Sequence, residues 1–418
     1  MTHRFGFLRV LGAAGSVLAL AVGWSYASTM AASKTVTIGV LAPLTGPSSA
    51  DGQYMVRGAQ LAAAEINAAG GADGYKLKIV TADVGAGAPD QVLGAVKKLQ
   101  GEGVDAMMTG YASSTNFEEK YMAQISMPYL ISGNSAQTQA IIAPDPSKYP
   151  TVWSLTPSYD DYGTMLPKIF GQWIKDHTVK LHNKVVAIVT SDNAYSLSIS
   201  QGLSKTFKQD GWTVALNEEV PFQPIYSWGS VLAKIRAVNP SVVIDTDYLP
   251  ANDASFMEQF VQNPMNSLLF IQYGPSVPQF LSLTKAKSTG VLYDLLGGLI
   301  FAPKAKLSQE FVKKYEAVYG PGVPGGYAAL LWESVYVYAR ALEKVGNPSD
   351  HLAIGKAIGQ TRMQTPQGVL AFDPKTHLAL VGGQYTPFQL LQIWHGQRIL
   401  IYPPQYADGK FQTPPWMH

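Results

Sequence analysis

From Thr35 to Gly274 short β-branched and apolar runs take turns with amphipathic stretches. "TVTIGVLAPL" (Thr35 to Leu44), "KLKIVTAD" (Lys76 to Asp83) and "VDAMMTG" (Val104 to Gly110) have the length and composition of strands. "RGAQLAAAEINAAGG" and "PDQVLGAVKKLQGEG" lie between them with apolar residues at helical spacing. The first ends in a glycine pair and the second begins on a proline, the ordinary stop and start of a helix. After the helical "YGTMLPKIFGQWIKDH" the rhythm restarts, with "NKVVAIVTSD", "SVVIDTDY" and "SLLFIQYG" as its principal strands. Parallel strands need long crossovers, and helices supply them. The pattern predicts an α/β chain with two open, doubly wound parallel-sheet lobes.

Open parallel sheets bind ligands at the carboxyl ends of their strands. Those ends fall at Pro43 to Asp51, Gly110 to Thr115, Ser132 to Ala136, Asp192 to Tyr195, Asp247 to Tyr248 and Gln272 to Gly274. Hydroxyls and tyrosines dominate there, and ionisable groups are few. No nucleophile elbow or Walker loop is present. The "VGAGAPD" turn lacks the third glycine of a dinucleotide loop. The seven histidines are scattered, without the spacing of a zinc site. Asp247 follows a strand, where aspartate is more often a turn cap than a general base. No cofactor or metal is expected, and the residues suit holding a small molecule better than changing it.

His3, Arg4 and Arg9 precede an apolar run from Val10 to Val22, and small residues follow at Ala27 and Ala32. This is the layout of a secretory signal peptide over residues 1–32, with Ala27 or Ala32 as the cleavage point. The expected product is a free, soluble, exported protein. The chain has no cysteine, so its stability rests on its core rather than on disulfides. The 31 basic residues less Arg4 and Arg9 equal the 29 acidic ones. That balance, with no basic cluster, argues against nucleic acid as a partner.

Beyond Gly297 the style changes. "AKLSQEFVKKYEAVYG" and "YAALLWESVYVYARALEKVG" read as amphipathic helices, and Trp332, Tyr336 and Tyr338 on the second read as packing. "YTPFQLLQIWHGQRILIYPP" reads as strands about a His-Gly turn, and Pro403 to Pro415 as a surface tail.

The stretch "VTIGVLAPLTGPSSADGQYMVRGAQLAAAEINAAGG", with "DQVLGAVKKLQGEGVDAMMTGYASSTN" and "VVAIVTSDNAYSLSISQGLSK", resembles the exported solute-binding proteins of branched-chain amino acid ABC importers. The resemblance implies a type I periplasmic binding fold: lobes of 33–155 with 300–365 and of 156–299 with 366–418, joined by three hinge crossovers. These crossovers would fall near Leu155-Thr156, Leu299-Ile300 and Gln364-Gly368. It implies a monomer that closes on a small ligand and docks on a membrane permease. A ligand-sensing regulator on the same scaffold is the alternative function, and a hydrolase a more distant one. The carry-over places Ser113, with Tyr111 and Ser114, and the segment Asn134-Ser135 on the ligand's carboxylate, and Tyr195 and Tyr248 over the ligand. The acid that pairs with an amino group should fall near Gln272 to Gly274, where none exists. Either Asp51 or Asp247 substitutes, or the ligand has no ammonium. Burial of an unpaired ammonium is costly, which favours the second. Tyr273 then joins the other tyrosines as a stacking surface.

Overall fold

The computed structural model describes residues 34–418. The expected signal peptide lies outside the described residues. In the first lobe, β1 (Thr35–Ala42), β2 (Lys76–Asp83), β3 (Ala106–Thr109), β4 (Tyr129–Ile131) and β5 (Val152–Ser154) form a parallel sheet in the order β2-β1-β3-β4-β5. In the second, β6 (Val185–Ser191), β7 (Thr213–Val220), β8 (Val242–Asp245), β9 (Leu268–Ile271) and β10 (Leu292–Leu296) repeat that order as β7-β6-β8-β9-β10, again parallel. Each sheet therefore reverses its strand order once, between β1 and β3 and between β6 and β8. A crevice opens at such a switch point. Central strands are buried on both faces because helices cover both, which is why they read as continuous apolar runs.

The last third of the chain departs from expectation. The stretch 366–380 was expected with the second lobe, yet it packs against the first. There β11 (Arg362–Thr365) and β12 (Gly368–Ala371) form an antiparallel hairpin. Leu370, Phe372 and Ala379 share a core with Val36, Ile38 and Val40 of β1, and Leu378 bridges to Ser154 of β5. The physical reason is burial. The apolar run "GVLAF" finds its partners in Trp153, whose ring lies 5.3 Å from that of Phe372, and in Ile354 and Ile358 of the helix His351–Gly359. The chain joins the second sheet only with β13 (Phe388–Trp394) and β14 (Gln397–Tyr402), an antiparallel pair about the expected turn at His395-Gly396.

The hinge is tied by side-chain amides. Gln367 donates to the Leu155 carbonyl (2.9 Å) and to buried Glu333 (2.6 Å), and Gln389 donates to the Leu299 carbonyl (2.8 Å). Burial pushes the Glu333 carboxyl up to about 8, against the hydrogen bond from Gln367.

The Pro-rich end is not a loose surface tail. The Trp416 indole donates to the Ser267 carbonyl (2.9 Å) and packs edge-on to Phe260. Asp408 takes both backbone groups of Leu400 on β14, the last strand of its sheet. Phe411, Trp416 and Met417 gave the segment enough apolar area to be held, which its prolines concealed.

Candidate functional site

Loops at the carboxyl ends of β3, β4, β6, β8 and β9 converge on one cavity between the lobes. Tyr111, Asn134, Tyr159, Tyr195, Tyr248, Tyr273 and Tyr327 line it, around about 320 Å³ of empty space. The rings nearly fill that space: a water-sized body has about 20 Å³ of room among them. The rings form a chain across both lobes. Tyr159 meets Tyr195 at 5.6 Å, Tyr195 meets Tyr248 at 5.4 Å, and Tyr248 meets Tyr111 at 6.2 Å. Tyr327 continues from Tyr111 at 5.3 Å and reaches Tyr273 at 6.0 Å. Most contacts are edge-to-face, the arrangement that aromatic quadrupoles favour. Gly110 makes room for this: a Cβ there would lie 2.6 Å from the Tyr327 ring.

Asp51 binds the two walls together. It sits on the helix that follows β1, is buried, and accepts hydrogen bonds from Tyr111 of its own lobe (2.9 Å) and Tyr273 of the other (3.0 Å). Desolvation pushes its carboxyl up to about 6, although the two phenols act the other way. Tyr273 reaches across from a strained position. Its φ is +53° and ψ −53°, and Gly274 N–H bonds to the Gln272 carbonyl over it at 2.6 Å. This is the rare, positive-φ γ-turn, a conformation that surrounding structure must hold in place.

Of the nine residues singled out in the sequence, Tyr111, Asn134, Tyr195, Tyr248 and Tyr273 line the cavity, and Asp51 bonds to two of them. The serines are placed differently. Ser113 and Ser114 line an adjoining recess with Asn193 and Phe222. The Ser113 hydroxyl donates to Glu118 (2.8 Å) and accepts from Asn116 N–H (3.0 Å). Ser135 donates to the Pro157 carbonyl (2.5 Å), and Asn134 to the Ser113 carbonyl (2.7 Å). Each of these donors thus has an acceptor within the protein. Beneath them Asn116 donates to the Gly133 and Asn134 carbonyls and to Thr138, which in turn donates to Glu119. Burial raises both Glu118 and Glu119, the latter well above the usual carboxyl range.

Asp247 is a turn cap. It accepts from the N–H groups of Tyr248 and Leu249 and from Asn252, and it is fully buried. The missing acid near Gln272 has a neighbour instead: Gln272 donates to Asp294 on β10 (2.7 Å) and, at 3.4 Å, to the Tyr195 hydroxyl. Burial holds Asp294 well above the usual carboxyl range. Asp253 touches the same loop, since a Cβ at Gly274 would lie 1.6 Å from its Oδ2.

Sequence reasoning missed Tyr159 and Tyr327. Neither follows a strand of the sheet that it faces. Tyr159 comes just after the first passage between lobes, and Tyr327 opens the helix Gly326–Val345 that returns to the first lobe. The glycine pair Gly325-Gly326 before Tyr327 was the available signal.

Residues 35–390 match the family profile described as "Periplasmic binding protein". A Leu/Ile/Val-binding protein homolog 7 of Brucella abortus is 21% identical over 409 residues, which is 95% of either chain. A solved structure titled a putative branched-chain amino acid ABC transporter, from Silicibacter pomeroyi, is 28% identical and superposes with a TM-score of 0.82 over 92% of this chain and 100% of that one. A solute-binding protein of an ABC transporter from R. palustris, in complex with benzoate, shares the fold at 18% identity, with a TM-score of 0.73 over 92% and 99%.

Proposed function

Since this chain belongs to the periplasmic binding protein family, whose members are substrate-binding transport proteins and not enzymes, we propose that it captures one small organic solute in the tyrosine-lined cavity and hands it to the permease of an ABC importer. The proposed place of action is the periplasm, reached through the leader at residues 1–32. One copy suffices, because a single chain supplies both walls.

The observation that carries the ligand class is the Asp51 bridge. Tyr111 and Tyr273 direct their only hydroxyl protons to Asp51, and Tyr159 directs its own to the Ser132 carbonyl. What remains on those three oxygens is lone pairs, which accept hydrogen bonds. Among the described residues, no Lys, Arg or His lines the cavity. The wall therefore suits a ligand with N–H donors, an amine or amide, lying near a buried carboxylate that lacks a cation. This reverses the leaning toward an ammonium-free ligand: Asp51, from the first lobe, takes the place of the acid absent at Gln272 to Gly274. For a carboxylate end of the ligand, the remaining donors are the hydroxyls of Tyr195, Tyr248 and Tyr327 and the first N–H groups of the helix Ser135–Ile142, which starts beside Asn134 at the cavity. Amino acids and short amides are the proposed solutes. The opening into two lobes then follows from breaking the Asp51–Tyr273 bond on release.

The test is a calorimetric panel of aliphatic and aromatic amino acids, short amides, and the matching ammonium-free acids, including benzoate. The expected result is saturable binding of an amine or amide, weakened about tenfold or more by Asp51→Asn. Binding confined to ammonium-free acids, and unchanged or strengthened by Asp51→Asn, would overturn the ligand class and leave the receptor role intact.

A further inference from the structure

A second groove lies between the lobes, and it shares no residue with the tyrosine cavity. It holds about 1,100 Å³ of empty space, part of it open to solvent. Val312 and Val323 line it from the chain around the helix Lys306–Tyr319, which packs with the first lobe. Leu281 and the β13–β14 turn line it from the second lobe, and Leu299 to Pro303 form the floor at the second hinge passage.

The lining is mixed, apolar along Leu281, Phe301, Val312 and Val323 and polar at Gln309, Gln397, Arg398 and Asp408, and one of the polar groups lacks a counter-ion. Arg398 donates its Nε–H to the Pro275 carbonyl at 2.9 Å. Its Nη2 is buried against the neutral Tyr293 hydroxyl, and no acid pairs with it. None of the ion pairs among the described residues includes Arg398. Asp408, the acid in the same groove, accepts from the Leu400 N–H at 2.7 Å; burial raises its carboxyl, with that bond and Lys304 acting the other way. A guanidinium without a counter-ion at the wall of such a groove lacks what a carboxylate supplies: charge and paired acceptors in the guanidinium plane.

We propose that this groove is a second binding site, taking a small anion with an apolar body, such as a medium-chain aliphatic carboxylate, with its carboxylate on Arg398 and its chain along Leu281, Phe301, Val312 and Val323. The site is made of residues other than those of the cleft. Because its two sides belong to different lobes, its occupancy is linked to their separation.

Titration calorimetry with sodium octanoate tests this on the full chain without its leader, with 1-octanol and octylammonium as uncharged and cationic controls. Octanoate is expected to saturate one site and to bind the cleft variant Tyr195→Ala within about threefold of the parent. Arg398→Gln is expected to weaken it about tenfold or more, and octanol to bind at least about tenfold more weakly than octanoate. Val323→Glu places an acid on the exposed rim, where folding is not at stake, and is expected to weaken octanoate as well. Absence of saturable binding would overturn the proposal. So would octanoate binding that Tyr195→Ala abolishes while Arg398→Gln and Val323→Glu leave it unchanged.

Discussion

On the first-lobe wall of the cleft, Ser113, Asn134 and Ser135 each give their donor to an acceptor in the protein. On the second-lobe side, Asp253 keeps neither oxygen bonded, and Asp245, Asp294 and Gln272 each keep one oxygen unpartnered. The two walls share a strand order, so topology does not make the difference. The first wall is the better satisfied one: Asn116 connects three acceptors, and Glu119 Oε2 and Ser132 Oγ are the buried atoms left without a partner behind it. The second is a set of tyrosine rings laid over acids whose carboxyls burial raises, Asp245 to about 8. A wall whose donors are paired and a wall with more unpaired acids do different jobs. The first fixes position, and the second contributes aromatic area whose polar backing can rearrange. Among the described residues, only the Tyr273–Asp51 bond joins a second-lobe ring to a first-lobe acid.

The comparison breaks first at Asn116. Asn116→Ala strands the Gly133, Asn134 and Thr138 acceptors, and should cost about 2–4 kcal/mol in urea unfolding. A loss below about 1 kcal/mol would mean that the first wall is not a network. Next comes pH. The Asp51 carboxyl is raised in the folded protein, so its contribution to stability is fully present below its ordinary value of 3.8 and is lost as pH rises through about 6. Ligand-free protein should lose up to about 3 kcal/mol from this group across that window, and Asp51→Asn should flatten the profile there. An unchanged profile in the variant would remove Asp51 as its source. Third, Tyr195→Ala and Tyr248→Ala should each weaken the cleft ligand by about 1–3 kcal/mol in calorimetry. Normal binding by both variants would place the ligand elsewhere. The smallest effect belongs to Tyr273→Phe. It removes one hydrogen bond between walls and should shift ligand affinity by about 0.5–1.5 kcal/mol, with a faster release in stopped flow.

The sequence carried the fold because its strongest signals are local. β-branched runs, glycine stops and a proline start can each be read within a few residues, and the strand ends led directly to Tyr111, Tyr195, Tyr248 and Tyr273. What it hid was partnership. Ser113 could be placed on the wall, but its proton went to Glu118, whose burial nothing in "FEEKYMAQI" announced. Tyr159 and Tyr327 reach the cavity from passages between lobes, so their place depends on how distant segments meet. The third passage was misplaced for the same reason. "GVLAF" is equally apolar in either lobe, and only Trp153 and the helix beside it decide where it packs.

The way the chain ends bears on its solubility. β14 is the outermost strand of the second sheet, and an outermost strand offers unpaired N–H and C=O groups to any other chain. Here Asp408 and Gly409 occupy those of Leu400, and Trp416 anchors the segment that brings them there. The last residues thus act as a guard against edge-to-edge self-association. A chain cut after Tyr402 would keep its cleft intact and yet present a bare edge to its neighbours, with aggregation as the failure rather than loss of binding.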